Sequence, residues 1–384
     1  MPMLSEGAVM PKAYDTIIVG AGPAGGTAAF FLGQAGQRVL VLEKEALPRY
    51  KACGGGLSVD MLEVFPFSFE PVIERRVKAV RYALGNQAVT IPLPSNSMCM
   101  VMRDRFDAYL LGHAQAEVRD GTAVQSVEEI DGKVLVTTRD GEQLAASHLI
   151  GADGANSVVA HSLGLRRNKA LAAAIEVEAT VPEEKLVEYG EVPLLAFGEV
   201  AHGYVWIFAK ADHLSVGIGN LHPRPGELQS RLKAAMAHYG ISLEGYAMHG
   251  HAVPFFTRYE LLATGRSLLT GDAAGLVDPF TGEGIRFAIH SGRLAAQAIL
   301  SDRIERYTNW INRRIKFNYV IAALLARSFF RYPDEWFAFA ARRPSITRAF
   351  VDSISGRASY LQIILRLAGG LPEYLSRRMF AWGK

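Results

Sequence analysis

The sequence predicts an α/β fold: a Rossmann-type domain, an inserted antiparallel β-sheet domain and a C-terminal helical region. Three observations lead there. Tyr14–Gly20 (YDTIIVG) is a short apolar run that passes through a glycine-rich turn into a small-residue segment and then a second apolar run ending at Glu43, a βαβ unit in about 30 residues. From about Ala170 to Phe256 the texture changes to long alternating segments. The strand–loop–helix style then returns over 267–299, and 300–384 is basic, aromatic and helical.

Taken in order, residues 1–13 carry no periodic signal and read as a flexible extension. The first strand, the turn Gly20–Gly26 and the helix after it come next, followed by the strand RVLVLEKE and the glycine loop RYKACGGGL (Arg49–Leu57). Residues 77–93 alternate and turn at Gly85-Asn86, a β-hairpin. An amphipathic helix is expected over 103–116, two strands at 125–130 and 133–138 joined by Asp131-Gly132, and a strand leading into Asp153-Gly154. Within the alternating region, strands are expected at 171–181, 194–200, 204–210 and 213–220, and a helix at 226–239. The domains are therefore expected as 14–76, 97–168 and 257–300 for the Rossmann-type unit, 77–96 and 169–256 for the inserted sheet, and 301–384 for the C-terminal region.

Composition narrows the function. The chain has 384 residues, 49% hydrophobic, enough for a large core. The long charge-free window Tyr82–Met102 is broken by polar residues and prolines, so no membrane-spanning helix is expected. Only Cys53 and Cys99 are present, which excludes a disulfide framework, a four-cysteine zinc site and a cysteine-ligated iron–sulfur cluster. His202, His213, His249 and His251 have no metal-ligand spacing, so no metal is expected. No signal peptide is expected, and the reading places the chain in the cytoplasm. The net charge of +3 is uneven: 301–384 holds 15 Lys+Arg against 6 Asp+Glu, a net of +9, and the remainder is −6. That asymmetry points to contact with something anionic, nucleic acid or a membrane surface, or else to a solvated helical face; Trp, Phe and Leu among arginines over 303–332 favour peripheral contact with a membrane, and no nucleic acid is expected as partner.

Gly20, Gly22 and Gly25 form G-x-G-x-x-G between a strand and a helix. The glycines allow the tight turn, the approach of a pyrophosphate and close helix packing, and the helix N-terminus favours the phosphates. Glu43, 18 residues on, suits ribose hydroxyls, with Lys44 beside it. Two further acidic strand ends, Asp153 and Asp272, and a glycine loop opening a helix at Gly284 and Ile285 exceed what a nicotinamide dinucleotide requires. They suit the longer FAD, with Asp272 near the ribityl chain and backbone N–H groups at a helix N-terminus near the flavin. Arg103 begins a helix, where its charge is unfavourable, and so is expected to contact the cofactor.

These segments, in this order and spacing, resemble the FAD-dependent monooxygenase-like superfamily. KACGGG (Lys51–Gly56), YVWIFAKADHLSVGIG (Tyr204–Gly219) and DPFTGEGIRFAIHSG (Asp278–Gly292) resemble more narrowly the geranylgeranyl reductase family. The resemblance spans about residues 14–300. It implies FAD contacts at Ala24, Glu43, Cys53, Gly54, Arg103, Ala123 with Val124, Asp272, Gly284 and Ile285. One departure is Ala209, where the family's aromatic motif usually has Pro.

Tyr204, Trp206 and Phe208 share one face of a strand and are expected, with Pro279 and Phe280, to wall a substrate cavity. Cys53, in a glycine loop beside the flavin, is a catalytic candidate. Cys99 is expected in the core. The implied activity is saturation of C=C bonds in a geranylgeranyl or other isoprenoid chain carried on a diphosphate, lipid, quinone or pigment. A single fingerprint leaves electrons to come from transiently bound NAD(P)H or reduced ferredoxin. An aromatic hydroxylase or halogenase, and an electron-transfer flavoprotein, are the alternatives.

Overall fold

The computed structural model describes residues 13–168, 170–224, 226–342, 351–352 and 357–365. The expected flexible extension lies outside these residues except for Ala13, which opens the first strand, and so does most of the chain beyond 342.

Ile17, Ile18 and Val19 are buried on both faces of Ala13–Val19, which becomes a central parallel strand. Val39–Leu42 pairs with it on one side and Gln143–Gly151 on the other. Glu117–Arg119 lies beyond Val39–Leu42, and Ser267–Leu269 pairs in parallel with the end of Gln143–Gly151. The start of that strand pairs antiparallel with Lys133–Thr138, which forms a hairpin with Val124–Ile130 through Asp131 and Gly132, both at positive φ. Because the central strands are parallel, their carboxyl ends, at Val19, Leu42, Gly151 and Leu269, lie along one edge of the sheet. Helices Pro23–Gln34 and Ile285–Leu300 start from that edge.

The second sheet has seven strands in the order His249–Pro254, Leu171–Ala179, Leu214–Asn220, Gly203–Ala209, Leu194–Phe197, Ala79–Leu84 and Gln87–Pro92. Five of its six pairings are antiparallel, and Leu194–Phe197 runs parallel to Ala79–Leu84, where the early hairpin meets the later strands. One face is a dry core: Val205, Ile207, Val216 and Ile218 pack with Leu228, Leu232 and Met236 of the helix Glu227–His238. The opposite face looks towards the carboxyl edge of the first sheet. Three short strands, Gly56–Ser58, Ile73–Arg76 and Met98–Val101, form a small third sheet, with Cys99 fully buried in it.

Segment 303–332 docks by one face. Tyr307, Ile311, Ile315 and Tyr319 are buried in the core of the first sheet, and the Tyr307 and Tyr319 hydroxyls donate to the Leu269 and Leu276 carbonyls at 2.8 and 3.1 Å. The other face leaves Arg313, Phe317, Val320, Leu324, Arg327 and Arg331 exposed. Among the described residues no helix is long and apolar enough to cross a membrane.

Candidate functional site

The glycine turn is held by contacts that no side chain could tolerate. Gly20 has φ +103°, and a Cβ there would lie 2.3 Å from the Ala152 carbonyl oxygen; one on Gly25 would lie 1.9 Å from that of Gly20. Gly22 caps the helix Pro23–Gln34. Glu43 is buried, and its Oε2 accepts the Ala21 N–H at 2.9 Å, tying the second strand to the turn, while Oε1 accepts the Glu45 N–H at 3.2 Å.

Two arginines stand over this turn. Arg103 makes a bidentate pair with Asp107, both bonds 2.8 Å, and Arg49 reaches Asp107 at 3.2 Å and Glu43 at 3.3 Å. A Cβ on Gly22 would be 3.6 Å from an Arg49 nitrogen and 4.0 Å from one of Arg103. Burial works against the Arg103 charge, but Asp107 outweighs it and holds the guanidinium protonated. Neither Arg49 nor Asp107 was singled out in the sequence. Asp107 was legible as the i+4 partner of Arg103, whereas Arg49 sits in a loop without periodicity.

The other cofactor candidates line the same cavity, of about 1270 Å³. Ala24 is buried in the first turn of its helix, and Ala123 accepts the Arg139 N–H at 2.8 Å beside buried Val124. Lys44 lies at the rim, its side chain 71% exposed and 3.7 Å from Glu45. Asp153 uses Oδ2 to accept the Val158 and Val159 N–H groups, and burial pushes this carboxyl up. Asp272 Oδ2 lies 3.7 Å from His251 Nε2. Burial would raise Asp272, but His251 and the Lys51 charge outweigh it and hold the carboxyl below its usual range. Lys51 is pushed down to about 8 by burial and then by Arg103. Gly284 and Ile285 open the helix Ile285–Leu300 at the cavity wall.

The cavity-facing side of the second sheet supplies the rest of the wall. In register, Tyr204 lies opposite Gly219 and Trp206 opposite Gly217, and Phe208 continues the row on the cavity side. The Tyr204 hydroxyl donates to the Thr281 carbonyl, joining this row to the loop of Pro279 and Phe280. Asp278 fixes that loop by accepting the Phe280 and Thr281 N–H groups at 2.8 and 3.0 Å. The Phe280 ring meets Phe329 at 5.6 Å, and Phe329 meets Phe197 at 4.8 Å, so aromatic residues of the C-terminal helices close the outer end. No motif marked that contribution, because it comes from packing of a segment distant in sequence.

Cys53 is half-buried; its N–H donates to Glu176, and its Sγ accepts the Gly55 N–H at 3.4 Å. The next carbonyl, Gly54, accepts from Lys210 Nζ at 2.7 Å. Glu176, Glu178 and Lys210 were not singled out either. The signal was present: two glutamates two residues apart in an apolar strand, and a lysine ending the aromatic row. Among the described residues no group of three His, Cys, Asp or Glu side chains is placed to hold a metal ion.

An FAD suits this donor set. Two guanidinium groups and a helix N-terminus face the space beside Gly22 where a diphosphate would be neutralised. The cavity exceeds the roughly 300–1,000 Å³ usual for a small-molecule pocket, leaving room for a second, apolar ligand.

Comparison with known proteins agrees. An FAD binding domain model matches residues 13–203. An uncharacterised protein of Methanosarcina barkeri is 31% identical over 81% of this chain and 83% of its own length. The chloroplastic geranylgeranyl diphosphate reductase of Oryza sativa is 32% identical over 74% of this chain, which spans 66% of that enzyme. A solved structure from Thermoplasma acidophilum, described as geranylgeranyl bacteriochlorophyll reductase-like, superposes with a TM-score of 0.77 at 24% identity, covering 95% of this chain and 98% of the other.

Proposed function

Since the chain belongs to the geranylgeranyl reductase family of FAD-dependent oxidoreductases, within the monooxygenase-like superfamily, we propose that it saturates isolated C=C bonds of a geranylgeranyl or other isoprenoid chain. The observation that carries this reading is the continuity of the FAD cleft with an aromatic-walled cavity along one face of the second sheet. When bound and reduced, FAD supplies the hydride. Arg49, Arg103 and the N-terminus of Pro23–Gln34 hold the pyrophosphate. Glu43 Oε1 accepts one bond from the chain and has capacity for a ribose hydroxyl. Asp272 holds ribityl hydroxyls, and the N-terminus of Ile285–Leu300 favours negative charge at the flavin edge. Cys53 and Gly54 bring backbone and thiol against the flavin; the thiol is a catalytic candidate.

An isolated alkene has no carbonyl to polarise. Tyr204, Trp206, Phe208, Pro279 and Phe280 therefore act by shape and by ring faces: they exclude water, hold the chain, and offer negative π surface to developing cationic character. The head group, whether diphosphate, lipid, quinone or pigment, lies beyond this wall. Electrons arrive from NAD(P)H or reduced ferredoxin, and the exposed face of 317–331 meets a membrane surface. Mass spectrometry of lipids and quinones from cells with and without the protein tests the reading. Two-dalton increases that also form anaerobically in vitro are expected. Oxygen-dependent incorporation of label would replace the reading with hydroxylation.

A further inference from the structure

We propose that Glu176 is the proton donor of the saturation step and that Glu178 and His213 recharge it from solvent. The proposal rests on the alkene-saturating reading above. Saturation places a hydride on one carbon and a proton on the other. The hydride comes from reduced flavin; the proton leaves the Glu176 carboxyl as the second C–H bond forms, and a carboxylate remains. That carboxylate must regain one proton per turnover inside a cavity that excludes water.

The second sheet contains such a route. Glu176 and Glu178 share one face of Leu171–Ala179, a strand otherwise built from Leu, Ala, Ile and Val. Buried charges in such a strand are costly unless paired. Glu176 is 2% exposed and lies on the cavity wall; in register it and Trp206 flank Gly217 from opposite sides. Its Oε1 accepts the Ser215 hydroxyl at 2.6 Å and its Oε2 the Cys53 N–H. Glu178 Oε2 is 2.7 Å from His213 Nε2, and His213 Nδ1 is 2.7 Å from the Asp212 carboxylate, whose side chain is 87% exposed. Titratable groups thus run from solvent to the cavity wall.

Charged and titratable groups of neighbouring elements face this row. Lys210 is fully buried and donates to the Gly54 and Val101 carbonyls at 2.7 and 2.9 Å. Glu74 accepts the Ala211 N–H and pairs with Arg105 at 2.7 Å. Tyr50 and Cys53 adjoin Glu176 from the glycine loop, and His249 lies across the strand from it. Burial, then repulsion from Glu178, pushes Glu176 up to about 7. Burial also acts on Glu178, but His213 and the contact with Glu176 outweigh it and hold Glu178 down. The proton shared by the pair therefore resides on the member that faces the cavity.

The test has two arms. In the ligand-free protein with ¹³C-labelled glutamate, infrared difference spectra across neutral pH are expected to show one carboxyl titrating near 7, absent in Glu176→Gln and shifted in Glu178→Gln. In anaerobic mixing of reduced holoenzyme with an isoprenoid alkene, the wild-type rate is expected to fall about tenfold per pH unit above neutrality. Glu176→Gln, nearly isosteric, is expected to lose about 10²-fold or more, with partial recovery in Glu176→Asp. His213→Ala is expected to slow turnover and to be rescued by imidazole. A Glu176→Gln enzyme with unchanged rate and pH limb overturns the assignment alone, as does the absence of a titrating carboxyl. A wild-type enzyme that saturates no isoprenoid fails the functional reading and the donor role together. In that case the infrared arm still reports whether the proton row exists.

Discussion

Asp107 receives both Arg103 and Arg49 while its side chain is 1% exposed, so three charges are fixed beside the glycine turn before any cofactor arrives. Arg103→Lys keeps the charge and removes the fork. We expect FAD affinity to fall about 10–100-fold, the worth of a charge-assisted hydrogen bond of roughly 1.5–3 kcal/mol, read by fluorescence titration of the apoprotein. Arg103→Ala goes further, because it strips a buried carboxylate of its main partner. A loss on the order of 3–5 kcal/mol is expected in denaturant unfolding. At this scale the sequence showed the residues with a local signature: the glycines, the acidic strand ends, and Arg103 as a misplaced charge at a helix start. Arg49, Lys51 and the Glu176–Glu178 pair depend on loop and strand segments meeting across the fold, for example Cys53 with Glu176, and no local spacing encodes that meeting.

The alternation of Gly203–Ala209 divides its residues between a dry core and the cavity, and the neighbouring strand must leave room for the larger rings. Gly217 does so: a Cβ there would lie 2.1 Å from the Trp206 ring and 2.5 Å from the Ile175 carbonyl oxygen. Gly217→Ala is expected to turn the indole, cost about 1–3 kcal/mol by overpacking, and raise KM for the isoprenoid more than it lowers FAD affinity. Indole fluorescence and thermal unfolding would register the change. The C-terminal segment carries its own marker in Lys316, which is buried and pushed down to about 8 by burial from 10.5 in the unfolded chain. Between those values the unfolded chain binds more protons than the folded one, so this group's contribution makes stability rise with pH across the window. Lys316→Met is expected to stabilise the protein at neutral pH and to flatten that rise in unfolding measured from about pH 7 to 10. Long periodic elements such as Leu171–Ala179 and the hairpin at Gly85 were legible. The three short strands of the small sheet and the helix Glu183–Gly190 were not, because a few residues carry too little period to stand out from loop.

By sequence an acidic body at −6 precedes a tail at +9, and the described helical run 307–331 at the start of that tail has two faces. One is spent on the core and on closing the cavity with Phe329 and Phe337. The other spaces Arg313, Phe317, Val320, Leu324, Arg327 and Arg331 three or four residues apart, a stripe with guanidinium groups at both ends and Leu324 57% exposed between them. Such a stripe suits an anionic bilayer: on binding, the arginines would meet head groups while Phe317 and Leu324 would enter the acyl boundary. Most of the stripe, from Phe317 to Arg331, shares one helix with Phe329 and Phe330 of the cavity's aromatic end, so binding through it would bring that end close to the bilayer. Sedimentation with vesicles containing anionic lipid should therefore retain the protein at low salt and release it as salt rises, with little retention on neutral vesicles. Leu324→Glu should lower retention several-fold while leaving FAD binding and thermal stability near wild type, since the side chain is on the far side of the helix from the core. Unchanged retention of Leu324→Glu would place the membrane contact elsewhere on the basic tail. A wild-type chain that stays in solution with every vesicle would instead mean that the isoprenoid reaches the cavity from a soluble carrier.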